Sequence, residues 1–389
     1  MRIVVNAVAV QGGGGQTYLL NILEALCAAE PTHEYWVVLT PRQRALLPSL
    51  PERVRAIVCP SAPRAAWLRV AWEQAILPVL LRRWRADLLF AAFNTAVLLS
   101  PVPVVLVAHS VNAYSELPIR WPLYMSARHA GLRWLGRLSA RVASAVVFVS
   151  ETSARVMAPR MGVPAARVRV VHYGWRSAED GAGAGPPLGL ALPERYVLTV
   201  GDLLEHKNVE VLLEAFQRLV GEHAYPGQLV IVGNPPTASS RYARHLLDVR
   251  AQRACRDRVH FVGRLPHPAL LAVYRAAELF VFPSLEETFG LPLVEAMGAG
   301  VPVVAGDWRL NPGGEHGRTN VGPEICGTAA EFFDPTDAAS LVRAMGRLLA
   351  DPTRRDELAR AGRIRARAFS WKKAAAALLA IFEHAAAER

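Results

Sequence analysis

Four groups of residues have types and spacings that suit chemistry. In SLEETFGLPLVEAM (284–297), Glu287 and Glu295 stand eight residues apart, on either side of a Gly-Leu-Pro turn. Pro292 suits the first turn of a helix, which places Glu287 in the preceding loop and Glu295 about a turn inside. If that helix starts at the carboxyl edge of a strand, both carboxylates border one ligand. They would accept hydrogen bonds from hydroxyls, while the backbone amides of Thr288, Phe289, Gly290 and Leu291 face phosphate or sugar oxygens. Acids near a helix start also compensate its dipole, an effect of about 0.3–1 kcal/mol. For Glu295 alone the two readings stand level, and Glu286 reads as a neighbouring surface acid.

Lys207 is one of three lysines, with Lys372 and Lys373, and stands in VGDLLEHKNVEVLLEAF (200–216) just before a helix for which Asn208 is the expected cap. A lysine beside a helix N-terminus makes an electropositive corner suited to a diphosphate. The alternative is a solvated lysine. His109 ends the run VPVVLVAH, where an imidazole either donates to a substrate hydroxyl or serves a structural contact. Gly12 to Gly15 follow the first strand and precede a helix, so their backbone can approach an anion or a sugar closely. A dinucleotide fingerprint would need a glycine where Thr17 stands and an acid where YWVVLT ends in Thr40. The run therefore reads as a tight turn or a sugar-facing loop.

Positioning these groups falls to short β-branched runs separated by helical stretches. RIVVNAV (2–8), YWVVLT (35–40), VRAIVC (54–59), DLLFAA (87–92), VPVVLVAH (102–109), SAVVFVS (144–150) and VRVVHY (168–173) make one series. RYVLTVGD (195–202), QLVIVGN (228–234), RVHFVGR (258–264), ELFVFPS (278–284), VPVVAGD (301–307) and AEFFDP (330–335) make another. Runs apolar on both faces suit parallel strands covered by helices. Between the series lies RSAEDGAGAGPPLGLALP, the best linker candidate. With 389 residues and a prior of roughly 150 per domain, two doubly wound α/β domains are the simplest account.

The net charge of +11 favours anionic partners: nucleic acid, an acidic membrane face or phosphate-bearing small molecules. The four cysteines are far apart and form no metal-ligand pattern, which fits a reducing compartment without a structural metal. MRIVVNAVAV lacks a charged region followed by a cleavage site and reads as a cytoplasmic start. Residues 88–108 carry no charge over about the 20 residues a membrane span needs. Asn94, Ser100, Pro101 and Pro103 interrupt them, so two buried strands are the better reading.

EETFGLPLVEAMGAGVPVV resembles the E-x7-E signature of retaining glycosyltransferases of family 4 (group 1), and VGDLLEHKN resembles their donor-phosphate loop. The Gly-rich first loop, His109, VSETSARVM (149–157), VRVVHYGW, FVGRLPHPALLAVYRAAE (261–278) and FSWKKAA (369–375) extend the resemblance over essentially the whole chain. It implies the GT-B fold, with two Rossmann-like domains facing a cleft. Residues 1–175 would form the acceptor-binding domain, joined by a C-terminal helix at 372–389. A linker would occupy 176–193, and 194–371 would bind the nucleotide sugar.

Carried over by position, Lys207 would neutralise the diphosphate beside Gly201, Glu295 would hold the ribose and Glu287 the transferred sugar. His109 would contact that sugar, Gly13 and Gly14 would lie near phosphate and acceptor, and Arg264 would border the base. No metal or other cofactor is implied. Two departures stand out. Asp202 follows Gly201 where many relatives have arginine, so phosphate neutralisation must rely on Lys207 and backbone, or on another arginine. Residues 306–327 are longer than the usual loop at this place; a lip over the cleft is one reading.

The resemblance implies transfer of a hexose from a nucleotide-diphosphate sugar to a glycan or lipid-linked acceptor in polysaccharide biosynthesis. GDP-mannose comes ahead of UDP-glucose or UDP-N-acetylhexosamine on the likeness of HKN to mannosyl-transferring relatives. A sugar-nucleotide epimerase of the same fold and a non-catalytic nucleotide-sugar-binding protein are the alternatives. Residues 117–143 interleave Arg with Trp, Tyr, Leu and Met. That pattern fits peripheral contact with the inner face of a membrane, or equally a helix packed on the first sheet. No nucleic-acid partner is expected.

Overall fold

The computed structural model describes residues 1–10, 12–47, 49–62, 65–117, 123–176, 192–234, 241–314 and 318–388. Most of the expected linker at 176–193 lies outside them. The chain divides into two compact units. One comprises Met1–Ser115, Arg120–Gly174 and Ser370–Arg389; the other comprises Glu116–Ile119 and Trp175–Phe369.

In the first unit, β1 (Arg2–Asn6), β2 (Glu34–Leu39), β3 (Val54–Val58), β4 (Leu88–Ala91), β5 (Val104–Ala108), β6 (Ala145–Phe148) and β7 (Val168–Val170) form one parallel sheet. Its order is β3-β2-β1-β4-β5-β6-β7, with Ile3 of β1 opposite Tyr35 on one side and Leu88 on the other. Around it pack α1 (Gly14–Ala29), α2 (Pro41–Leu46), α3 (Ala66–Ala75), α4 (Leu77–Arg83), α5 (Leu123–Val142) and α6 (Glu151–Met161). The uncharged stretch at 88–108 supplies the adjacent strands β4 and β5, buried in full. No described helix is long and apolar enough to cross a membrane.

On α5, Leu135, Ser139 and Ala140 are buried, and the Ser139 hydroxyl accepts the Ala96 amide at 2.9 Å. Its arginines are partly used within the unit: Arg133 donates to the Ala113 carbonyl and Arg137 to that of Arg160. This helix thus packs on the sheet, while Leu123 and Trp134 stay exposed.

In the second unit, β8 (Tyr196–Val200), β9 (Gln228–Val232), β10 (Val259–Gly263), β11 (Leu279–Phe282), β12 (Val303–Gly306) and β13 (Ala330–Phe333) form a parallel sheet in the order β10-β9-β8-β11-β12-β13. The helices are α7 (Val209–Glu222), α8 (Arg241–Ala251), α9 (His267–Ala276), α10 (Leu291–Ala299), α11 (Gly322–Cys326), α12 (Ala338–Ala350) and α13 (Pro352–Ala366). On α7 the periodic residues Val209, Leu212, Leu213, Phe216 and Leu219 are all buried against the sheet. Fully burying such a side chain contributes roughly 1.5–3 kcal/mol, enough to hold a helix that propensity alone would not.

Both sheets reverse strand order once, between β1 and β4 and between β8 and β11. In doubly wound sheets ligands bind beyond the carboxyl ends of the strands at that switch point.

The last helix, α14 (Trp371–Ala387), belongs to the first unit, where the Phe382 ring meets Phe90 at 5.0 Å and the Trp371 ring stacks on Tyr173 at 5.8 Å. A Cβ at Gly174 would lie 2.0 Å from the Trp371 backbone nitrogen, so only glycine fits there. The unit boundaries fall after Gly174 and after Phe369, one and two residues before the places drawn from the sequence. Trp175 goes with the second unit because its indole donates to the Ala366 carbonyl at 3.1 Å and lies against Gly298, where a Cβ would come within 2.2 Å of the ring.

Candidate active site

The second unit brings together the loops that leave β8 and β11. Gly201 follows β8 directly, and its amide still bonds to the Val232 carbonyl at 2.9 Å. A Cβ at neighbouring Gly233 would lie 1.9 Å from the Gly201 oxygen, so two backbones meet here with no room for a side chain. The Lys207 stem runs alongside Gly201, and the ammonium lies 5.7 Å from the centre of the Phe282 ring. Thr199, Gly201, Lys207, Phe282, Pro283 and Ser284 help line a small recess at this edge.

Asn208 departs from the expected role. It does precede α7, but it adopts a left-handed conformation (φ 57°) and its side chain makes no capping bond. Its amide donates instead to the Pro283 carbonyl at 3.1 Å and the Pro335 carbonyl at 2.7 Å, joining the loops after β8, β11 and β13. Two loop carbonyls win over one amide of a helix already anchored by its apolar face.

Glu287 lies in the loop after β11 and forms an ion pair with Lys207, both largely buried. Burial pushes its carboxyl up, and the Lys207 charge and hydrogen bond more than offset this, leaving it below the ordinary carboxylate value. The loop is tied on each side: the Leu285 amide donates to the His206 carbonyl at 2.8 Å and the Glu287 amide to the Thr319 carbonyl at 2.6 Å. Glu286, between them, is only 1% exposed, so the reading of it as a surface acid is corrected. With both flanking amides fixed by backbone acceptors, its side chain faces inward. His206 is driven down to about 4 by burial and by Lys207, and is neutral at pH 7.

Gly290 ends this loop at φ 81°, a conformation that favours glycine, and α10 begins at Leu291 with Pro292 in its first turn. The Thr288 and Phe289 side chains are buried, Phe289 edge-on to Phe369 at 5.7 Å. Glu295 sits inside α10, buried, and accepts the Tyr274 hydroxyl of α9 at 3.1 Å. Burial raises its carboxyl to about 7. The two signature carboxylates therefore have separate partners and opposite shifts. Sequence spacing carried no signal for Tyr274.

Arg264, after β10, places a guanidinium nitrogen 3.3 Å from each Asp202 carboxylate oxygen, and Asn234, after β9, donates to Asp202 at 2.8 Å. Asp202, flagged as a departure, thus holds an arginine from another loop. That pairing was invisible in the sequence because 62 residues separate the partners.

In the first unit, Gly13 (φ 80°) turns the chain into α1, which starts at Gly14. His109, just beyond β5, bonds through Nδ1 to the Tyr173 hydroxyl, and its amide donates to Asn94 Oδ1 at 2.8 Å. The Tyr18 ring stands edge-on at 4.5 Å. Burial lowers the His109 pKa to about 4, so the imidazole is neutral at pH 7. Among the described residues no group of three or more His, Cys, Asp or Glu side chains is placed to hold a metal ion.

Two sequence-family models match the chain in succession, "Glycosyltransferase Family 4" over residues 12–175 and "Glycosyl transferases group 1" over residues 186–365. The chain belongs to the family 4, group 1 glycosyltransferases. A D-inositol 3-phosphate glycosyltransferase of Salinispora tropica is 37% identical over 204 residues, 51% of this chain and 40% of that one. The chain spans about half the length of the curated relatives it matches. Sucrose-phosphate synthase from Thermosynechococcus elongatus superposes over all of both chains with a TM-score of 0.76 at 21% identity. HepE of Anabaena in complex with UDP-glucose superposes over 98% of this chain and 100% of that one, with a TM-score of 0.71 at 18% identity. This family 4 glycosyltransferase has the GT-B fold.

Proposed function

We propose that the chain is a retaining glycosyltransferase that moves a hexose from a nucleoside diphosphate sugar to a glycan or lipid-linked acceptor. The observation that carries the reading is the Lys207–Glu287 pair where β8 and β11 end, at the start of α10. The bond from the anomeric carbon to phosphate breaks with its electron pair on the β-phosphate oxygen. Positive charge is needed there, and Lys207 with the amides at 288–291 supplies it without calling on a divalent cation. Glu287 then turns to a hydroxyl of the transferred sugar, and Glu295 accepts the ribose hydroxyls. The acceptor oxygen bonds to the anomeric carbon on the face the phosphate leaves, and its proton passes to a phosphate oxygen, which gives retention. We assign His109 to the transferred sugar, Gly13 and Gly14 to the acceptor side, and Arg264 to the base, following their motif positions.

For the donor, HKN favours GDP-mannose, while the UDP-glucose complex of HepE favours a UDP-hexose. A thermal-shift screen of GDP-, UDP- and ADP-sugars separates them, because a ligand that binds only the folded chain raises its melting temperature. Transfer assays with the stabilising donor, run with and without chelator, then give the anomeric configuration of the product and the metal requirement. No stabilisation by any donor, or an inverted product, would overturn the reading.

A further inference from the structure

In this unit the basic side chains nearest the loops after β8 and β11 are balanced by carboxylates before any ligand arrives. Lys207 is paired with Glu287 and Arg264 with Asp202, and His206 is neutral. A nucleoside diphosphate brings more than one negative charge to that edge.

Another cation lies in the segment between β12 and α11. This segment is built onto the loop after β11 at three points. The Trp308 indole donates to the Leu285 carbonyl at 2.7 Å, the Thr319 carbonyl accepts the Glu287 amide at 2.6 Å, and Asn320 reaches the Ser284 carbonyl at 3.5 Å. Arg318, next to Thr319, holds its guanidinium carbon 4.5 Å from the centre of the Trp308 ring. Its Nε and Nη1 are withdrawn from water with no hydrogen-bond partner among the described residues. An aromatic face offsets part of that cost and fixes the guanidinium plane, but it accepts N–H groups only weakly. An anion accepts them strongly.

We propose that Arg318 is a phosphate ligand of the donor site, oriented by Trp308 and supplying the positive charge that Lys207 and Arg264 already share with carboxylates. The fork of a guanidinium matches two oxygens of a phosphate. The inference rests on the reading of this unit as the site of a nucleoside diphosphate sugar.

Calorimetric titration of the full chain with UDP, UMP, GDP and GMP tests it, on the unaltered protein and on Arg318→Ala and Arg318→Lys. Arg318→Ala is expected to weaken the preferred diphosphate by about tenfold or more and its monophosphate by less than about twofold, with Arg318→Lys between. The melting temperature without ligand should hold or rise, since two N–H groups withdrawn from water without a partner among the described residues have gone. Equal weakening of both nucleotides, or a diphosphate bound as tightly by Arg318→Ala as by the unaltered chain, overturns the inference alone. Failure of the unaltered chain to bind any of the four overturns the donor reading, and this inference with it.

Discussion

The Tyr274 hydroxyl donates to Glu295 at 3.1 Å, joining α9 to a carboxyl that burial has lifted from 4.5 to about 7. Because the folded value lies above the unfolded one, the folded chain keeps this proton while the unfolded chain loses it. Stability therefore falls as pH rises from about 4.5 to about 7 and changes little beyond. Glu295→Gln cannot titrate, so its stability relative to the unaltered chain should improve by about 3 kcal/mol between pH 4.5 and pH 8. Urea unfolding at the two pH values measures this. A constant difference would show that Glu295 ionises normally.

Lys207→Ala should lower kcat/KM by about 10²–10³-fold, the usual cost of removing one group that stabilises a developing anion. The pH response is a separate readout. Glu287 is held below 4.5, so its contribution to stability is present above that value and is lost as pH falls through the folded pKa. In Lys207→Ala this acid-side loss should shrink, because the charge holding the carboxyl down is absent. Acid unfolding curves that superimpose would count against the pair.

Asn208 combines a left-handed backbone with two loop-to-loop hydrogen bonds. Asn208→Gly keeps the backbone and loses the bonds, at about 1 kcal/mol each. Asn208→Ala adds about 1–2 kcal/mol of left-handed strain. The expected order of stability is thus unaltered, Gly, then Ala. Chemical denaturation of the three proteins checks it, and equal stability of Gly and Ala would remove the strain argument.

Gly233→Ala would drive a methyl into the Gly201 carbonyl, which belongs to backbone and cannot rotate away. The Gly201 loop must shift, and with it Lys207. Nucleotide affinity should fall by about tenfold or more even though Gly233 has no side chain to contribute. Unchanged affinity by titration would mean that the loop tolerates displacement.

Most of the fold was legible because a parallel strand buried on both faces shows as a β-branched run; all thirteen runs are strands, including the edge strand β3, which is largely exposed. Helix α10 announced itself through Pro292 and the glycine before it. What stayed hidden were partnerships made by chain crossings. Tyr274 meets Glu295 across a helix pair, Arg264 after β10 meets Asp202 after β8 across the single strand β9, and Glu286 is turned inward by acceptors from two different loops. Asn208 misled for a related reason. Its local sequence fits a cap, and only the fold supplies the two distant carbonyls that take its side chain.

Helix α14 has a consequence for the order in which the protein is made. The Phe90 environment in the first unit is completed by Phe382, and Tyr173 by Trp371, yet both partners are translated after the entire second unit. On the ribosome the second unit can finish folding while the first still presents the apolar seat of its missing helix. The core of the first unit, from Val4 to Met161, is complete within the early part of the chain, and the seat beside Phe90 and Tyr173 is filled only once the last helix has been made.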